Sequence, residues 1–179
     1  MKIQQYLLVL LEVLFPYMLN ADITEDIHFS HIGLEEGLSH STIFAINQDK
    51  GGNLWFATYD GVNKYDGYNF TVYRHQYTHP NSIASDISRC ITMDDSDRIW
   101  IGTREGLSLY NHYKDEFSNY YYKRNGLNVA VTSIIPIKKD WLMLGTAEGI
   151  LLFDERVFPF GYIILFFAWI AAGSFGTSG

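Results

Sequence analysis

The sequence predicts an all-β fold made of repeated four-stranded units, and three observations support this prediction. One pattern occurs three times, at residues 55–62, 100–107 and 143–150. The last glycine of the pattern recurs after 45 and then 43 residues. Aromatic residues make up 16% of the chain and hydrophobic residues 47%, a composition that favours strands. A repeat of about 40 to 45 residues that carries several short strands is typical of a β-propeller blade.

Turn sequences divide the first repeat into four predicted strands. A polar, glycine-rich cluster at residues 49–53 favours a turn, as do the pair Asp60 and Gly61 and the pair Asp66 and Gly67. The segments between these turns are short and rich in residues that favour strands. The predicted strands of this repeat span residues 42–48, 54–58, 62–65 and 69–74.

The second and third repeats follow the same plan. Their predicted strands span residues 88–93, 98–103, 107–110 and 116–122, then 131–137, 141–146 and 150–153. A fourth strand of the third repeat is expected near Phe160, which lies 43 residues after Phe117. The repeats thus occupy about residues 37–80, 81–124 and 125–156 of a folded region that spans residues 22–156. Three blades predict an incomplete propeller, because roughly four to eight blades close a ring.

Small residues recur at two positions of the repeat, where we expect backbones to crowd. Ala45, Cys90 and Ser133 are equivalent by the repeat spacing, and we place them on the innermost strands. Gly102 and Gly145 form a second equivalent set, which favours close approach of another backbone. Cys90 is accordingly interpreted as a small core residue rather than a reactive thiol.

The remaining repeat-defining residues are aromatic or form turns. Trp55 and Trp100 are equivalent, and we interpret them as core wedges, with sugar-stacking platforms as the alternative. Gly61, Gly106 and Gly149 follow the second predicted strand of each repeat. Glycine suits such a turn because it adopts positive φ without steric cost.

The N-terminus has the pattern of an export signal. Lys2 supplies a positive charge, residues 6–19 are mostly apolar, and Ala21 offers a small residue for cleavage. We therefore predict a signal helix over residues 1–21 and an exported protein. An uncleaved anchor and a buried apolar helix are the alternatives, because Glu12 and Pro16 interrupt the apolar run.

Many positions of the first two repeats agree in order and spacing with a known repeat family. They are residues 37–39, 43, 46, 49, 55–58, 61–62 and 65–67, and then residues 91, 94, 100–103, 106–107 and 110. These positions resemble the two-component regulator propeller repeat. The resemblance covers about residues 29–154 and includes the lead-in to the first blade.

The resemblance implies a pathway as well as a fold. Members of this family are extracytoplasmic sensor regions of bacterial histidine kinases, often hybrid two-component systems, and many respond to products of polysaccharide breakdown. It implies a periplasmic sensor, an oligosaccharide-like ligand and, in a longer parent protein, kinase modules and a homodimer. This sequence contains no pattern for a phosphotransfer helix or a nucleotide site, so we predict that the chain is not itself an enzyme.

The final residues, 157–179, carry no charge, and residues 157–172 are almost wholly apolar. Three interpretations of this tail stay open. It is a truncated or non-native end of a longer gene, a short segment that contacts the inner membrane through residues 157–172, or a genuine fourth strand with extra apolar sequence. A spanning helix needs about 20 apolar residues, and Pro159 and Gly161 interrupt this run.

Composition and spacing argue against several other functions. The net charge is −7 without a basic cluster, so we expect no nucleic-acid partner. We also predict no metal and no cofactor. His75 and His79 lie in a segment interpreted as a linker, and residues 94–97 are interpreted as a hairpin turn rather than a calcium loop. The neighbours Ser39 and His40 are assigned to the structured entry into the first repeat.

The candidate ligand-binding residues come from one variable position. The residue after the threonine of each repeat is Tyr59, Arg104 or Ala147. Turns on one face of a repeat array commonly bind ligands, and Tyr59 can stack on a sugar while Arg104 can bind a carboxylate. We therefore predict a sensor fragment with Tyr59 and Arg104 in its binding surface. An exported carbohydrate-active propeller enzyme and a non-functional remnant of a sensor gene are the alternatives.

Overall fold

The computed structural model describes residues 28–138 and 140–157. The chain divides into two units, residues 1–31 and 32–179. Of the first unit, residues 28–31 are described and have no regular secondary structure. All the described strands belong to the second unit. The predicted signal segment, the strand expected near Phe160 and residues 158–179 of the tail lie outside the described residues.

Three antiparallel sheets follow one another along the chain, and we call them blades 1, 2 and 3. Blade 1 contains β1 (Ile43–Gln48), β2 (Leu54–Thr58), β3 (Val62–Tyr65) and β4 (Phe70–Tyr73). Blade 2 contains β5 (Ser88–Met93), β6 (Ile99–Thr103), β7 (Gly106–Asn111) and β8 (Glu116–Tyr120). A small hairpin of β9 (Lys123–Arg124) and β10 (Leu127–Asn128) leads to blade 3, which contains β11 (Val131–Lys138), β12 (Trp141–Thr146) and β13 (Gly149–Asp154).

The all-β prediction is confirmed, and each blade pairs its strands in sequence order. Short 3₁₀ turns at Leu34–Glu36 and Glu155–Val157 are the helical elements among the described residues. No helix in this part of the chain is long and apolar enough to cross a membrane. The first strands of the three blades, β1, β5 and β11, lie beside one another, as the innermost strands of adjacent propeller blades do.

The hairpin of β9 and β10 was not predicted from the sequence. Its turn residues, Asn125 and Gly126, both have positive φ, at 51° and 81°. An Asn-Gly pair with this conformation is the strongest short-range signal for a two-residue hairpin. The signal lies at the predicted boundary between the second and third repeats, where no strand was expected.

The crowding predicted at the small residues is confirmed. Each inner strand has an irregularity in register at the same place, next to a pair of small residues. These pairs are Ala45 with Ala57, Cys90 with Gly102, and Ser133 with Gly145. A Cβ atom added at Gly102 would lie 2.8 Å from the backbone oxygen of Val131 in blade 3. Glycine at this position therefore lets blades 2 and 3 approach each other.

Two hydrophobic clusters hold the three blades together, one between each pair of neighbours. Trp55 lies in the first cluster and Trp100 in the second, and both side chains are fully buried. Their interpretation as core wedges is thus confirmed. Cys90 packs against the second cluster, and burial raises the pKa of its thiol to about 11. A thiol with this pKa stays protonated and weakly nucleophilic at neutral pH.

Candidate ligand-binding site

The same turn joins the second and third strands of every blade. Its sequence is threonine, a variable residue, an acidic residue and glycine. The threonine hydroxyl donates to the glycine carbonyl oxygen at 2.9 Å in blade 1, 3.0 Å in blade 2 and 2.8 Å in blade 3. The same hydroxyl accepts a hydrogen bond from the N–H of the acidic residue at 3.1, 3.2 and 3.1 Å. The variable side chain takes no part in these bonds.

The glycine of each turn is required by backbone conformation. Gly61, Gly106 and Gly149 have φ values of 93°, 145° and 111°, which side-chain-bearing residues rarely adopt. The Cβ atom of an alanine at Gly106 would lie 2.5 Å from the backbone oxygen of Tyr120. The glycines predicted to define the repeat therefore fix a turn that presents its variable residue outward. We call the surface formed by residues 59–60, 104–105 and 147–148 the turn face.

Two clefts open beside Arg104 on the turn face. Cleft A has a volume of about 560 Å³ and lies between the turn of blade 2 and the segment that connects blades 1 and 2. It is lined by His75, Tyr77, Asp86, Arg104, Tyr121 and Lys123 among others. Cleft B has a volume of about 440 Å³ and lies between the turns of blades 2 and 3. It is lined by Arg104, Glu105, Arg124, Asn128, Ala147 and Glu148 among others.

Arg104 belongs to both clefts. Its backbone N–H donates to the carbonyl oxygen of Ile87 at 2.9 Å, which fixes the turn against the segment before blade 2. Its side chain is exposed, and within residues 28–138 and 140–157 the guanidinium has no hydrogen bond or ion pair. By contrast, Arg124 in cleft B is paired with Glu148 at 2.6 Å. Arg104 is therefore available to bind a ligand oxygen without first breaking an internal bond.

Cleft A combines hydrogen-bond donors, acceptors and an aromatic surface. The His75 ring is held by the Ile83 carbonyl oxygen at 2.8 Å, and the ring of Tyr77 lies edge-on against it at 4.8 Å. Asp86 accepts the backbone N–H of His75 at 2.6 Å, which leaves its carboxylate with further lone pairs. Burial, and in addition the nearby charge of Glu105, raises the pKa of Tyr121, so its hydroxyl remains a donor.

Tyr59, the other predicted binding residue, lies apart from Arg104. Its ring is exposed and packs near His40 and Phe44, with ring centroids 5.6 and 6.4 Å away. It lines neither cleft A nor cleft B. The aromatic residues beside Arg104 are Tyr77 and Tyr121, which the sequence reasoning missed. Tyr77 lies in the connection between blades 1 and 2, where the repeat period gives no signal, and Tyr121 directly follows β8, although the predicted strand extended to residue 122.

The other sequence motifs have structural contacts. Residues 94–97 form the predicted hairpin turn, in which the N–H of Asp97 donates to the Asp94 carbonyl oxygen at 2.9 Å. The Ser39 hydroxyl accepts from Asn63 at 2.7 Å and lies 3.0 Å from the Thr58 hydroxyl, so it fastens the lead-in segment to blade 1. His79 contacts the Thr78 hydroxyl at 3.0 Å. No cluster of metal-ligating side chains occurs among the residues that the structure describes.

A larger cleft, of about 690 Å³, lies at the opposite end of blades 1 and 2. Several of its polar residues already hold the core in place. Asp49 accepts hydrogen bonds from Asn53 and from the Trp55 indole, and Arg98 donates to Asp94 at 2.6 Å. Asp49 and Arg98 thus already form hydrogen bonds within the protein, whereas the guanidinium of Arg104 forms none with the described residues. The turn face is therefore the better candidate for ligand binding.

Comparison with known proteins agrees with this architecture. Residues 37–60 and 82–105 match the two-component regulator propeller family. The extracellular domain of BT3049 from B. thetaiotaomicron, assigned to the hybrid two-component systems, is similar over 76% of this chain with 32% identity and a TM-score of 0.66. The extracellular domain of BT4673 from the same organism has the same fold over 72% of this chain, with 20% identity and a TM-score of 0.59.

A curated relative is similar over a short stretch of the chain. Histidine kinase P4 of Formosa agariphila is 47% identical over 49 residues, which are 27% of this chain and 4% of the kinase. The chain spans 20% of the BT3049 domain and 19% of the BT4673 domain. The described blades therefore share the fold of extracellular domains whose own assignments are to two-component and one-component systems. The two stretches that match the two-component regulator propeller family lie in blades 1 and 2 and the segments before them.

Proposed function

We propose that this chain is the ligand-sensing part of a two-component sensor and that its turn face binds an oligosaccharide-like ligand. The observation that carries the proposal is the guanidinium of Arg104, which is unpaired among the described residues and lies between two clefts and beside Tyr77 and Tyr121. Sugar hydroxyl groups are both donors and acceptors, and sugar rings stack on aromatic side chains. A site with Arg, Lys, Asp and Tyr groups at one surface meets these requirements.

Ligand binding at the turn face would change the activity of a kinase only if the ligand favoured one of two arrangements of the sensor. Cleft B supplies a physical basis for such a preference, because it is shared by the turns of blades 2 and 3. A ligand held by Arg104 on blade 2 and by a group on blade 3 would stabilise one relative position of the two blades. The kinase modules to which this signal passes are part of the proposal, as is a homodimer of a longer parent protein.

The binding test uses isothermal titration calorimetry with neutral and uronate-containing oligosaccharides. We expect Arg104→Ala and Tyr77→Ala each to weaken binding by about tenfold or more, as the loss of one good polar or aromatic contact does. The matched controls are Lys114→Ala and Tyr113→Ala, whose exposed side chains lie in the turn between β7 and β8. Unchanged affinity in both cleft variants would contradict the proposal. Consumption of the sugar during incubation would favour an enzyme instead.

Tyr59 is tested in the same series. If the ligand extends along the turn face to blade 1, Tyr59→Ala will weaken the binding of long oligosaccharides more than that of short ones. An equal effect on both lengths, or none, would remove Tyr59 from the proposed site. This comparison keeps the prediction about Tyr59 separate from the one about Arg104.

We also propose that the protein is exported to the periplasm and that residues 1–21 are its signal segment. The apolar pattern of these residues and the similarity to extracellular domains support this location. Fractionation of source cells and N-terminal sequencing of the mature protein test it. The expected product lies in the periplasmic or inner-membrane fraction and begins after Ala21. A cytoplasmic protein with an intact N-terminus would contradict it.

A further inference from the structure

The irregularity in each inner strand is a β-bulge with one extra residue. In β1, two residues that stand two apart pair with neighbouring residues of β2, and the extra residue between them is Phe44. The same shift makes Arg89 the extra residue of β5 and Thr132 that of β11. These three residues are equivalent by the repeat spacing, yet they differ in chemistry. A bulge directs the side chain of its extra residue away from the regular pleat, and bulges are frequent beside functional sites.

The bulges lie at the turn-face end of the inner strands. In blade 1, the carbonyl oxygen of Thr42 accepts the backbone N–H of Tyr59 at 3.3 Å. In blade 2, the carbonyl oxygen of Ile87 accepts that of Arg104 at 2.9 Å. The extra residue comes two positions after this carbonyl in both blades. The bulge therefore adds a second variable side chain beside the variable residue of each of these turns.

The side chains at two of the bulges meet where blade 1 adjoins blade 2. The guanidinium carbon of Arg89 lies 4.9 Å from the ring centroid of Phe44. The Phe44 ring lies 6.4 Å from the Tyr59 ring, which in turn lies 5.6 Å from the His40 ring. The Nδ1 atom of His40 accepts the backbone N–H of Thr42 at 2.9 Å, so the neutral ring carries its proton on Nε2. We call His40, Phe44, Tyr59 and Arg89 the inner patch.

The guanidinium of Arg89 is available to a ligand. The chain has six arginines, and four of them form ion pairs with carboxylates, namely Arg74, Arg98, Arg124 and Arg156. Within residues 28–138 and 140–157, the guanidinium groups of Arg89 and Arg104 form neither hydrogen bonds nor ion pairs. Both arginines lie in blade 2 next to the paired residues Ser88 and Thr103. A guanidinium stacked on an aromatic ring keeps the N–H groups along its edge, which match a carboxylate.

We propose that the inner patch binds a uronate residue, with its carboxylate on Arg89 and its sugar ring against Tyr59. Tyr59 is 49% exposed and offers a surface on which a sugar ring can stack. Phe44 is a positioning residue, because its ring supports the guanidinium from one side. An exposed ion pair contributes little by itself, so the carboxylate and the ring must bind together. This inference rests on the proposed function, since the uronate is one residue of the oligosaccharide at the turn face.

The test is isothermal titration calorimetry of the full 179-residue chain with oligosaccharides of galacturonate and of glucuronate and with their neutral methyl esters. We expect the preferred acid form to bind about tenfold more tightly than its ester. Arg89→Gln should remove this preference and leave the affinity for the ester unchanged. Phe44→Leu should reduce the preference in part. Lys114→Gln removes the same charge at the exposed turn between β7 and β8 and should change neither affinity.

The pattern across ligands and variants separates the inner patch from the clefts beside Arg104. The inference is overturned if no acid form binds more tightly than its ester, or if Arg89→Gln keeps the preference. Weaker binding of both forms in Arg104→Ala would then leave the proposed function standing. Binding of neither form would overturn both. Added salt should weaken the binding of the acid form to the wild type more than to Arg89→Gln. Far-UV circular dichroism checks that the variants remain folded, as expected for the exposed Arg89 side chain.

Discussion

Each of the two interfaces between blades contains one buried tryptophan, and the two interfaces differ in the polar contacts around it. At the first, the Trp55 indole donates to Asp49 at 2.9 Å, and at the second the Trp100 indole donates to Asp94 at the same distance. Around Trp55 lie Tyr73 and Tyr110, with ring centroids 5.9 and 4.8 Å away. The hydroxyls of both tyrosines donate to one carboxylate oxygen of Asp115, at 2.7 and 2.6 Å.

The second interface replaces these hydroxyls with ion pairs. Trp100 contacts Phe153 edge-on at 5.6 Å, and Phe153 has no hydroxyl to donate. Arg98 instead joins Asp94 of its own blade to Glu155, which follows blade 3. Asn53 takes the place of Arg98 in blade 1 and donates to Asp49 without adding charge. The comparison shows that the repeat fixes the tryptophan wedge and its acidic acceptor, while residues particular to each blade determine the polar contacts around it.

The largest effect should follow from removal of a wedge. Trp55→Ala and Trp100→Ala each delete a fully buried side chain and should lower the free energy of unfolding by about 3–5 kcal/mol. Urea denaturation followed by circular dichroism measures the change. Hydrogen exchange should show increased opening mainly at the first interface for Trp55→Ala and mainly at the second for Trp100→Ala. Increased hydrogen exchange in the same strands for both variants would contradict the description of two separate interfaces.

A smaller loss is expected where a side chain is added between the blades. Gly102→Ala places a Cβ atom against the Val131 backbone oxygen, which cannot rotate away, and should cost about 1–3 kcal/mol. Gly145→Ala meets chiefly the Ser133 hydroxyl, which can change rotamer, and should cost less. Thermal unfolding of the two variants checks this order. Equal losses would show that contact with blade 3 does not restrict Gly102.

Loss of the shared acceptor should weaken only the first interface. Asp115→Ala leaves the Tyr73 and Tyr110 hydroxyls without their carboxylate and should cost about 1–2 kcal/mol. Asp115 has a φ of 55°, so part of any loss is backbone strain. Asp97→Ala is the control for that part, since Asp97 has a φ of 61°. Asp115→Asn keeps an acceptor oxygen and should retain most of the stability, as chemical denaturation will measure.

The smallest expected effect is a difference in how the stability of two variants, at Asp94 and at Asp49, depends on pH and on salt concentration. Burial alone would raise the pKa of Asp94, but hydrogen bonds from Trp100 and Arg98 and the Arg98 charge hold it below the ordinary value of 3.8. Burial would likewise raise the pKa of Asp49, but hydrogen bonds from Trp55 and Asn53 lower it below the ordinary value. A carboxyl whose pKa is lower in the folded state stabilises the protein above its unfolded pKa. That stabilisation is lost as the pH falls through the folded value.

We therefore expect stability to fall below about pH 4, near the ordinary carboxyl pKa, and the fall to be shallower in Asp94→Asn and in Asp49→Asn. Asp94→Asn should also reduce the dependence on salt more than Asp49→Asn does, by an amount on the order of 1 kcal/mol or less, because Asp94 forms an ion pair with Arg98 at 2.6 Å, whereas Lys64 acts on Asp49 through its charge without an ion pair. Unfolding at several pH values and salt concentrations measures both responses. Equal salt dependence in the two variants would contradict the distinction.

The strands could be predicted because their ends carry strong turn residues. The predicted bounds 54–58 and 62–65 coincide with β2 and β3, and Asp60 and Gly61 lie between them. The hairpin of β9 and β10 was missed because it lies outside the four-strand plan of the repeat. Its Asn-Gly turn was nevertheless a usable signal.

The candidate site could be predicted only in part. The repeated turn identified Arg104, because the register of β6 and β7 places this residue in the turn between them. Tyr77 and Lys123 reach the same cleft from connections between blades. The path of such a connection depends on how two sheets pack, and no periodic pattern records it. Tyr59 occupies an equivalent turn yet lies near Phe44 and away from both clefts.

The repeated turn also has an evolutionary consequence. Its shape depends on the threonine hydroxyl and on the positive φ of the glycine, and it makes no demand on the residue between the threonine and the acid. Once a gene for such a blade is duplicated, that one codon can mutate in each copy without destabilising the protein. Tyr59, Arg104 and Ala147 are three outcomes of this freedom. Substitutions at these three positions can therefore change which ligands the turn face binds while the turn itself keeps its structure.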